Sequence, residues 1–266
     1  MARDPRTGKP LNVTKSRRKK QYIETREGPW LAIQETDIIP LANGDISDYQ
    51  ISWRSKQYNL QREDGILGLT RLKGPKATAA HKSLLLALED ERPSVRVSAL
   101  KALPEVATQK SDELFDWLSV LLDDKDVSVR QAASEALAIS APVFPSGVDI
   151  IIHNELRSFE PNRSKQAFKG LESLCEAWPE VACDHIDELF LETDAELRLK
   201  AKLLGRVLVK AGHIGWDLVS WALNDDDPRV RRAAAKTLPK LSKVDTRIAT
   251  IFLSLIHISE PTRQLC

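Results

Sequence analysis

Apolar and polar residues follow one another along this chain with helical periodicity, and one pattern of them recurs about every 34 residues. Its most complete copy is the run 227–238, with Arg231 as a convenient reference position. The equivalent positions, 33 or 34 residues apart, hold Arg62, Arg96, Arg130, Ser164 and Arg198. An alanine or glycine follows each reference three residues later, and a leucine usually follows seven residues later. Such a period predicts an array of stacked repeats.

Each repeat is predicted to be an antiparallel pair of helices. Proline three residues before a reference (Pro93, Pro161, Pro228) suits the first turn of a helix, and aspartate beside it suits the N-cap. Positions −1, +3 and +7 share one helical face, so they should form the buried stripe. A second amphipathic stretch precedes each reference. These stretches are 82–88, 113–122, 148–156, 185–191 and 215–223. The predicted fold class is all-α, an α-solenoid of stacked helix pairs.

The runs that read Asp-Pro-x-Val-Arg-x-Ala-Ala-x-x-x-Leu carry a family resemblance. They lie at 227–238 and, less completely, at 92–103 and 126–137. They resemble HEAT repeats, including the short HEAT-like (PBS-lyase-type) class, over roughly residues 60–253. The resemblance implies that the recurrent arginines each pair with an aspartate of an adjacent repeat and have a structural role. These ladder arginines are Arg96, Arg130, Arg198 and Arg231, and Ser164 interrupts their series.

The two ends of the chain do not follow the repeat. Residues 1–20 are rich in Lys and Arg and are expected to be a disordered basic tail, which serves either solubility, binding of a polyanion or nuclear localisation. Residues 21–50 are expected to form an irregular arm or short strands that cap the first repeat. The repeats are assigned to 51–253, with a long helix expected over 48–72. Residues 254–266 resemble a translated sequencing-adapter read and are expected to be non-native.

The composition narrows the functional classes. Lys and Arg number 39 against 38 Asp and Glu, a net charge of +1, so the chain as a whole is not committed to nucleic acid or to a membrane surface. The three cysteines show no disulfide framework, which indicates a reducing compartment. No apolar run approaches the roughly 20 residues of a membrane span. We therefore expect a cytoplasmic protein with no membrane segment.

Basic residues nevertheless concentrate on the outward positions of the second helices. In a solenoid these helices line one surface, so the basic residues are either a binding groove or an ordinary solvated face. The candidate binding residues are Lys165, Lys169, Lys200, Arg206, Lys210, Arg232, Lys236 and Lys243.

The sequence offers little for catalysis. The histidines are scattered without a His-x-x-x-His pair, and Cys183-Asp184-His185 lacks the spacing of a metal site. No glycine-rich phosphate loop is present. We predict no catalytic residue, no metal and no cofactor.

A second, local resemblance concerns Trp216-Asp217-Leu218, Trp221 and the charged run after them. This stretch is similar to HEAT-like DNA alkylation-repair glycosylases, and the resemblance implies aromatic residues and an aspartate in a basic groove. The predicted function is a non-catalytic binding or scaffold module that holds a protein or polyanionic partner on the second-helix face. The alternative is a nucleic-acid-binding protein, with glycosylase activity as its enzymatic form. The oligomeric state is left open.

Overall fold

The computed structural model describes residues 27–108, 111–200, 207, 211, 215–236 and 238–241. It divides into two compact units, Met1–Val106 and Ala107–Cys266. The basic tail predicted for 1–20 and the non-native segment predicted for 254–266 lie outside the described residues. None of the described helices has the length and hydrophobicity that crossing a bilayer requires.

The first unit contains two helix pairs, one of them with a β-hairpin inserted between its helices. In each pair we call the earlier helix the first helix and the later one the second helix. The first helices α1 and α3 adjoin, as do the second helices α2 and α4. The elements are α1 (Ile38–Asn43), β1 (Tyr49–Trp53), β2 (Lys56–Leu60), α2 (Arg62–Gly68), α3 (Ala77–Leu88) and α4 (Pro93–Val106), with 3₁₀ turns at Pro29–Ala32, Leu69–Arg71 and Gly74–Lys76.

The long helix predicted over 48–72 is wrong, because a hairpin occupies 49–60. Antiparallel β1 and β2 pair from Tyr49↔Leu60 to Trp53↔Lys56. Arg54 and Ser55 connect them with φ of 50° and 63°. Positive φ at both central residues matches a type I′ turn, whose twist suits a hairpin. Along β1, half-buried and exposed residues alternate with the period of two of a strand, which the helical interpretation overlooked.

Helices α1 and α2 approach each other closely at Gly65. A Cβ atom at this position would lie 2.5 Å from the main-chain nitrogen of Ala42 and 2.8 Å from the carbonyl carbon of Leu41. Only glycine permits this distance between the two backbones. Leu41, Ala42 and Ile66 are fully buried at the contact. The small residue three positions after the reference therefore has a direct steric role in this pair.

The second unit continues the pairing of helices. Its first helices adjoin in the order α5, α7, α9, α11, and its second helices adjoin as α6 with α8 and α10 with α12. The helices are α5 (Asp112–Leu121), α6 (Val127–Ser140), α7 (Pro145–Arg157), α8 (Pro161–Ala177), α9 (Pro179–Phe190), α10 (Ala195–Lys200), α11 (Trp216–Leu223), α12 (Pro228–Ala235) and α13 (Leu238–Leu241).

The buried stripe follows the predicted register. In α6 the −1, +3 and +7 residues Val129, Ala133 and Leu137 are 0% exposed. Asp126 caps the same helix, accepting hydrogen bonds from the main-chain N–H groups of Ser128 (2.8 Å) and Val129 (3.4 Å). Burying one such leucine or valine contributes about 1.5–3 kcal/mol, whereas an exposed helix of this length is marginal in water. The helices therefore depend on stacking, which confirms the all-α solenoid class.

Candidate functional site

A groove runs between α6 and α8, the second helices of two adjacent pairs in the second unit. Its volume is about 850 Å³. The two helices adjoin, and the small residues three positions after their references, Ala133 and Ala167, are fully buried. We call this cavity the α6–α8 groove. It is lined by Val127, Arg130, Gln131, Ser134, Glu135, Lys165, Gln166, Phe168, Lys169 and Glu172.

Two of the predicted basic residues, Lys165 and Lys169, line this groove and are exposed. They share it with Glu135 and Glu172. The Nζ atom of Lys169 lies 3.9 Å from a carboxylate oxygen of Glu135. Both members of that pair are more than half exposed, so the ion pair itself adds little stability. Charges of both signs therefore line the groove, where the sequence interpretation emphasised basic ones alone.

The same positional rule that selected the lysines also marks the acids. Gln131 and Glu135 are the +1 and +5 residues of their repeat, and Glu172 is a +8 residue. These positions lie opposite the buried stripe on a helix. The sequence thus contained the signal for the acidic residues of the lining, and it was missed because only cations were considered.

The remaining basic candidates are placed differently. Arg232 and Lys236 are exposed in and just after α12, away from the lining of the α6–α8 groove. Arg206, Lys210 and Lys243 lie outside the described residues.

Lys200 differs from its predicted placement on the binding face. Its ammonium group donates to the main-chain oxygens of Leu156 (3.2 Å) and Ser158 at the C-terminal end of α7. It also lies 5.1 Å from the centroid of the Phe159 ring. Burial lowers the pKa of Lys200, with Asp194 acting in the opposite direction. A cation that donates hydrogen bonds to the carbonyl oxygens at the C-terminal end of a helix stabilises that end, so Lys200 has a structural role.

The ladder arginines make a repeated contact inside their own pairs. In Arg96, Arg130, Arg198 and Arg231, the Nη1 atom donates to the main-chain oxygens six and five positions earlier. These distances lie between 2.6 and 3.1 Å. Each guanidinium group thereby bridges the turn that connects the two helices of a pair.

Two arginines at reference positions also reach an aspartate of the next pair. In the first unit Arg62 forms an ion pair with Asp90. Although burial acts to raise it, the pKa of Asp90 is lowered by hydrogen bonds from the N–H of Arg92 and from Arg62. In the second unit the Nε atom of Arg198 lies 2.8 Å from Asp225. These contacts have the geometry that the ladder resemblance implies.

The pair that has Ser164 at its reference position uses other groups. The hydroxyl of Ser164 donates to the main-chain oxygen of Ser158, 2.8 Å away and six positions earlier. The neighbouring Arg163 forms an ion pair with Glu155, a carboxylate that is 1% exposed. The hydrogen bonds that Arg163 donates to the Glu155 carboxylate raise the pKa of Arg163. The turn after α7 is therefore held by a serine hydroxyl, an arginine shifted by one residue, and Lys200.

The aromatic residues of the glycosylase resemblance lie on a first helix. Trp221 of α11 is 58% exposed, in the same register as exposed Leu86 and Val120 on other first helices. Trp216 is half-buried, and the side chain of Asp217 lies outside the described residues. The structure does not bring Trp221 into the α6–α8 groove.

Paired helices with this register and these turns define an α-solenoid repeat protein. A HEAT repeats model matches residues 82–150, and a HEAT repeat model matches residues 218–244. The chain therefore contains HEAT repeats in these two stretches. No curated protein matches it by sequence.

Solved structures of repeat proteins are similar at low identity. An archaeal HEAT-like repeats protein from Thermococcus onnurineus NA1 is 18% identical with a TM-score of 0.44, over 79% of this chain and 87% of that one. An engineered protein is 19% identical with a TM-score of 0.37, over 78% and 97%. A designed armadillo repeat protein is 14% identical with a TM-score of 0.35, over 83% and 98%.

Proposed function

We propose that the chain is a non-catalytic binding module that holds a segment of a protein partner in the α6–α8 groove. The observation that carries the proposal is the mixed charge of the groove lining. Lys165 and Lys169 lie there together with Glu135 and Glu172. HEAT-repeat solenoids commonly serve as protein-interaction scaffolds, and this function needs a surface rather than a reaction centre.

The charge pattern favours a protein segment over a polyanion. Arg130, the third cation of the lining, already donates to two main-chain oxygens. The two lysines lie beside two carboxylates, so the lining as a whole has a net charge of only +1. A phosphodiester chain would meet both carboxylates, and like charges facing each other across an interface reduce affinity. A peptide with acidic and basic side chains can satisfy both signs.

The lining also argues against a small-molecule site. Small-molecule pockets are mostly apolar with a few polar groups, whereas polar and charged side chains dominate this groove. Its apolar components are Val127, which is 57% exposed, and the edge of Phe168. An extended or helical segment with one apolar anchor fits such a lining.

Nucleic-acid binding stays the second interpretation of the basic residues. Cytoplasmic localisation stays a proposal, supported by Cys175 and Cys183, which are not joined in a disulfide. No reaction is assigned to the chain, so glycosylase activity is not part of the proposal.

Selection of peptides from a display library on the full chain tests the proposed function. Selected peptides should carry both acidic and basic residues, and the double variant Lys165→Glu/Lys169→Glu should weaken their binding about tenfold or more. The matched control is Arg232→Glu/Lys236→Glu, which reverses two exposed cations elsewhere in the second unit. That variant should bind the peptides like the parent.

Short single- and double-stranded oligonucleotides, titrated at low and high salt, provide the second measurement. We expect affinity for the peptides to exceed affinity for the oligonucleotides. The polyanion interpretation would instead be supported if the parent bound oligonucleotides with a steep salt dependence and both double variants lost this binding. If substitution of Lys165 and Lys169 leaves peptide binding unchanged, the α6–α8 groove is not the binding site.

A further inference from the structure

Four potential metal ligands meet between α7 and α9, the first helices of adjacent pairs in the second unit. Asp149 and His153 are four residues apart on α7, and His185 and Glu188 are three residues apart on α9. Both spacings place the two side chains of a helix on the same face. We call these four residues the His–carboxylate cluster. None of them lines the α6–α8 groove.

The distances within the cluster are short. One ligand atom from each of His153, His185 and Glu188 lies within 4.8 Å of the other two. The Nδ1 atom of His153 is 3.0 Å from a carboxylate oxygen of Glu188. The Nε2 atom of His185 is 3.1 Å from a carboxylate oxygen of Asp149. Two imidazoles and the Glu188 carboxylate therefore converge from two helices, and the Asp149 carboxylate contacts His185.

The side chain of His185 gives an independent indication that the cluster binds a cation. Its side chain is only 5% exposed. Its Nε2 atom has no hydrogen-bond partner among the described residues, because the approach to Asp149 lacks the angle of a hydrogen bond. A buried polar atom without a partner is costly and uncommon in folded proteins. A cation bound to Nε2 would satisfy it.

The local charge also favours a cation. The carboxylates of Asp149 and Glu188 contact the two imidazoles, and the guanidinium group of Arg157 lies 3.5 Å from Glu188 and 2.8 Å from Glu192. A divalent ion would compensate the carboxylates that contact the two imidazoles.

We propose that His153, His185 and Glu188 bind a divalent transition metal ion, for which zinc is the best match, while Asp149 contacts His185 beside this group of three. Two imidazole nitrogens and carboxylate oxygens are ordinary zinc ligands. Tetrahedral bonds of about 2.0–2.1 Å place ligand atoms about 3.3 Å apart, so the widest separation must shorten by about 1.5 Å. His153 and Glu188 can make this adjustment, because their side chains are 39% and 50% exposed.

Arg157 competes with the ion. Its Nη1 atom lies 3.0 Å from Nδ1 of His153, and its Nη2 atom lies 3.5 Å from Glu188. In the metal-bound form Arg157 keeps its ion pair with Glu192 and releases His153. The bound ion then links α7 to α9 and stabilises the contact between two adjacent pairs. This role is independent of the α6–α8 groove.

Zinc titration of the EDTA-treated full chain tests the proposal, in a Cys266→Ser background that removes the thiol outside the described residues. Calorimetry should show one zinc ion per chain, and the Tm should rise with zinc concentration but not with magnesium. His153→Ala and Glu188→Gln should each weaken zinc binding about tenfold or more. His81→Ala, on α3 of the first unit, is the matched control and should bind like the parent.

Two further measurements separate a metal site from an ordinary ion-pair cluster. Arg157→Gln should tighten zinc binding, because it removes a competing positive charge. Cobalt should give the visible bands of a tetrahedral site without the charge-transfer band of a thiolate ligand. The proposal is overturned if the parent binds no zinc stoichiometrically, if His153→Ala binds as well as the parent, or if cobalt reports a thiolate.

Discussion

Arg198 and Asp225 form a two-point ion pair that joins consecutive helix pairs of the second unit. The Nε and Nη2 atoms of Arg198 lie 2.8 and 3.3 Å from the two carboxylate oxygens of Asp225. The remaining terminal nitrogen, Nη1, donates to the main-chain oxygens of Glu192 and Thr193, each at 2.9 Å. The two side chains are 15% and 8% exposed. One guanidinium group thus fixes the turn within its own pair and the contact to the next.

Replacement of Arg198 by glutamine should lower the free energy of unfolding by about 2 kcal/mol, since hydrogen bonds to a charged, largely buried carboxylate are lost. Arg198→Lys should recover only part of the loss, because an ammonium group cannot make the two-point contact. Urea unfolding measures both. Lys76→Gln removes an ion pair whose members are about half exposed and should change stability by less than about 0.5 kcal/mol. Equal losses for Lys76→Gln and Arg198→Gln would contradict this account.

Ser164 and Lys200 should be energetically coupled, because both donate to the main-chain oxygen of Ser158. Lys200→Met should cost about 1 kcal/mol through the lost hydrogen bonds. Ser164→Arg should also destabilise, because its guanidinium group would crowd the ammonium group of Lys200. The double variant should be more stable than either single one, since an arginine at the reference position can then reach the carbonyl oxygens as in other repeats. A double-mutant cycle measures the coupling, and strict additivity would disprove it.

Leu137→Asp should destabilise the second unit by about 4 kcal/mol, because it places a charge without a partner at a position that is 0% exposed. Ile139 of the same helix is 37% exposed, so Ile139→Asp should cost much less. Thermal unfolding of the two variants compares a buried with a surface position of one helix. If Leu137→Asp melts like the parent, the register of the buried stripe is wrong.

Gly65→Ala should destabilise the first unit by about 2 kcal/mol, although alanine favours helix formation by about 1 kcal/mol over glycine. The reason is the 2.5 Å approach of the new Cβ atom to the backbone of Ala42, which cannot move aside as a flexible side chain can. Gly68→Ala is the control, because its nearest contact is a side-chain methyl of Ile38 at 3.3 Å. Chemical denaturation should show the larger loss at Gly65.

Cys183 should resist alkylation in the folded protein, because burial, with smaller effects of Cys175 and Asp184, raises its pKa to about 12. The folded state then holds the proton more tightly than the unfolded state. The contribution of this group to stability is complete below pH of about 8.5 and is lost as the pH rises towards 12. Iodoacetamide labelling followed by mass spectrometry should modify Cys183 at pH 8 only after unfolding. Rapid labelling in the native state would contradict the raised pKa.

The repeat register of the described helices could be predicted from sequence because its signals are local. Val129, Ala133 and Leu137 lie within nine residues of one another, and Asp126 caps the same helix. The hairpin could not be predicted in this way. A type I′ turn normally carries Asn-Gly, whereas Arg54-Ser55 gives no such signal, and the turn is supported by contacts such as the 4.4 Å stacking of Arg54 on Trp53.

The His–carboxylate cluster was missed for a different reason. Its two halves, Asp149 with His153 and His185 with Glu188, each have helical ligand spacing, but they are 32 residues apart between His153 and His185. Only the stacking of α7 on α9 unites them. The outward-facing residues of the groove lining could be predicted from their positions in the repeat. The mixed charge of the lining could be recognised only by considering the acidic and basic residues of α6 and α8 together.

The inserted hairpin shows which part of this repeat is free to change. Residues 49–60 separate α1 from α2, and the two helices still pack on each other. The connection inside this pair therefore accommodates an inserted hairpin without loss of the contact between its helices. For protein engineering, that connection is a graft point: a peptide tag or a small domain placed at Arg54-Ser55 would leave the succession of second helices intact.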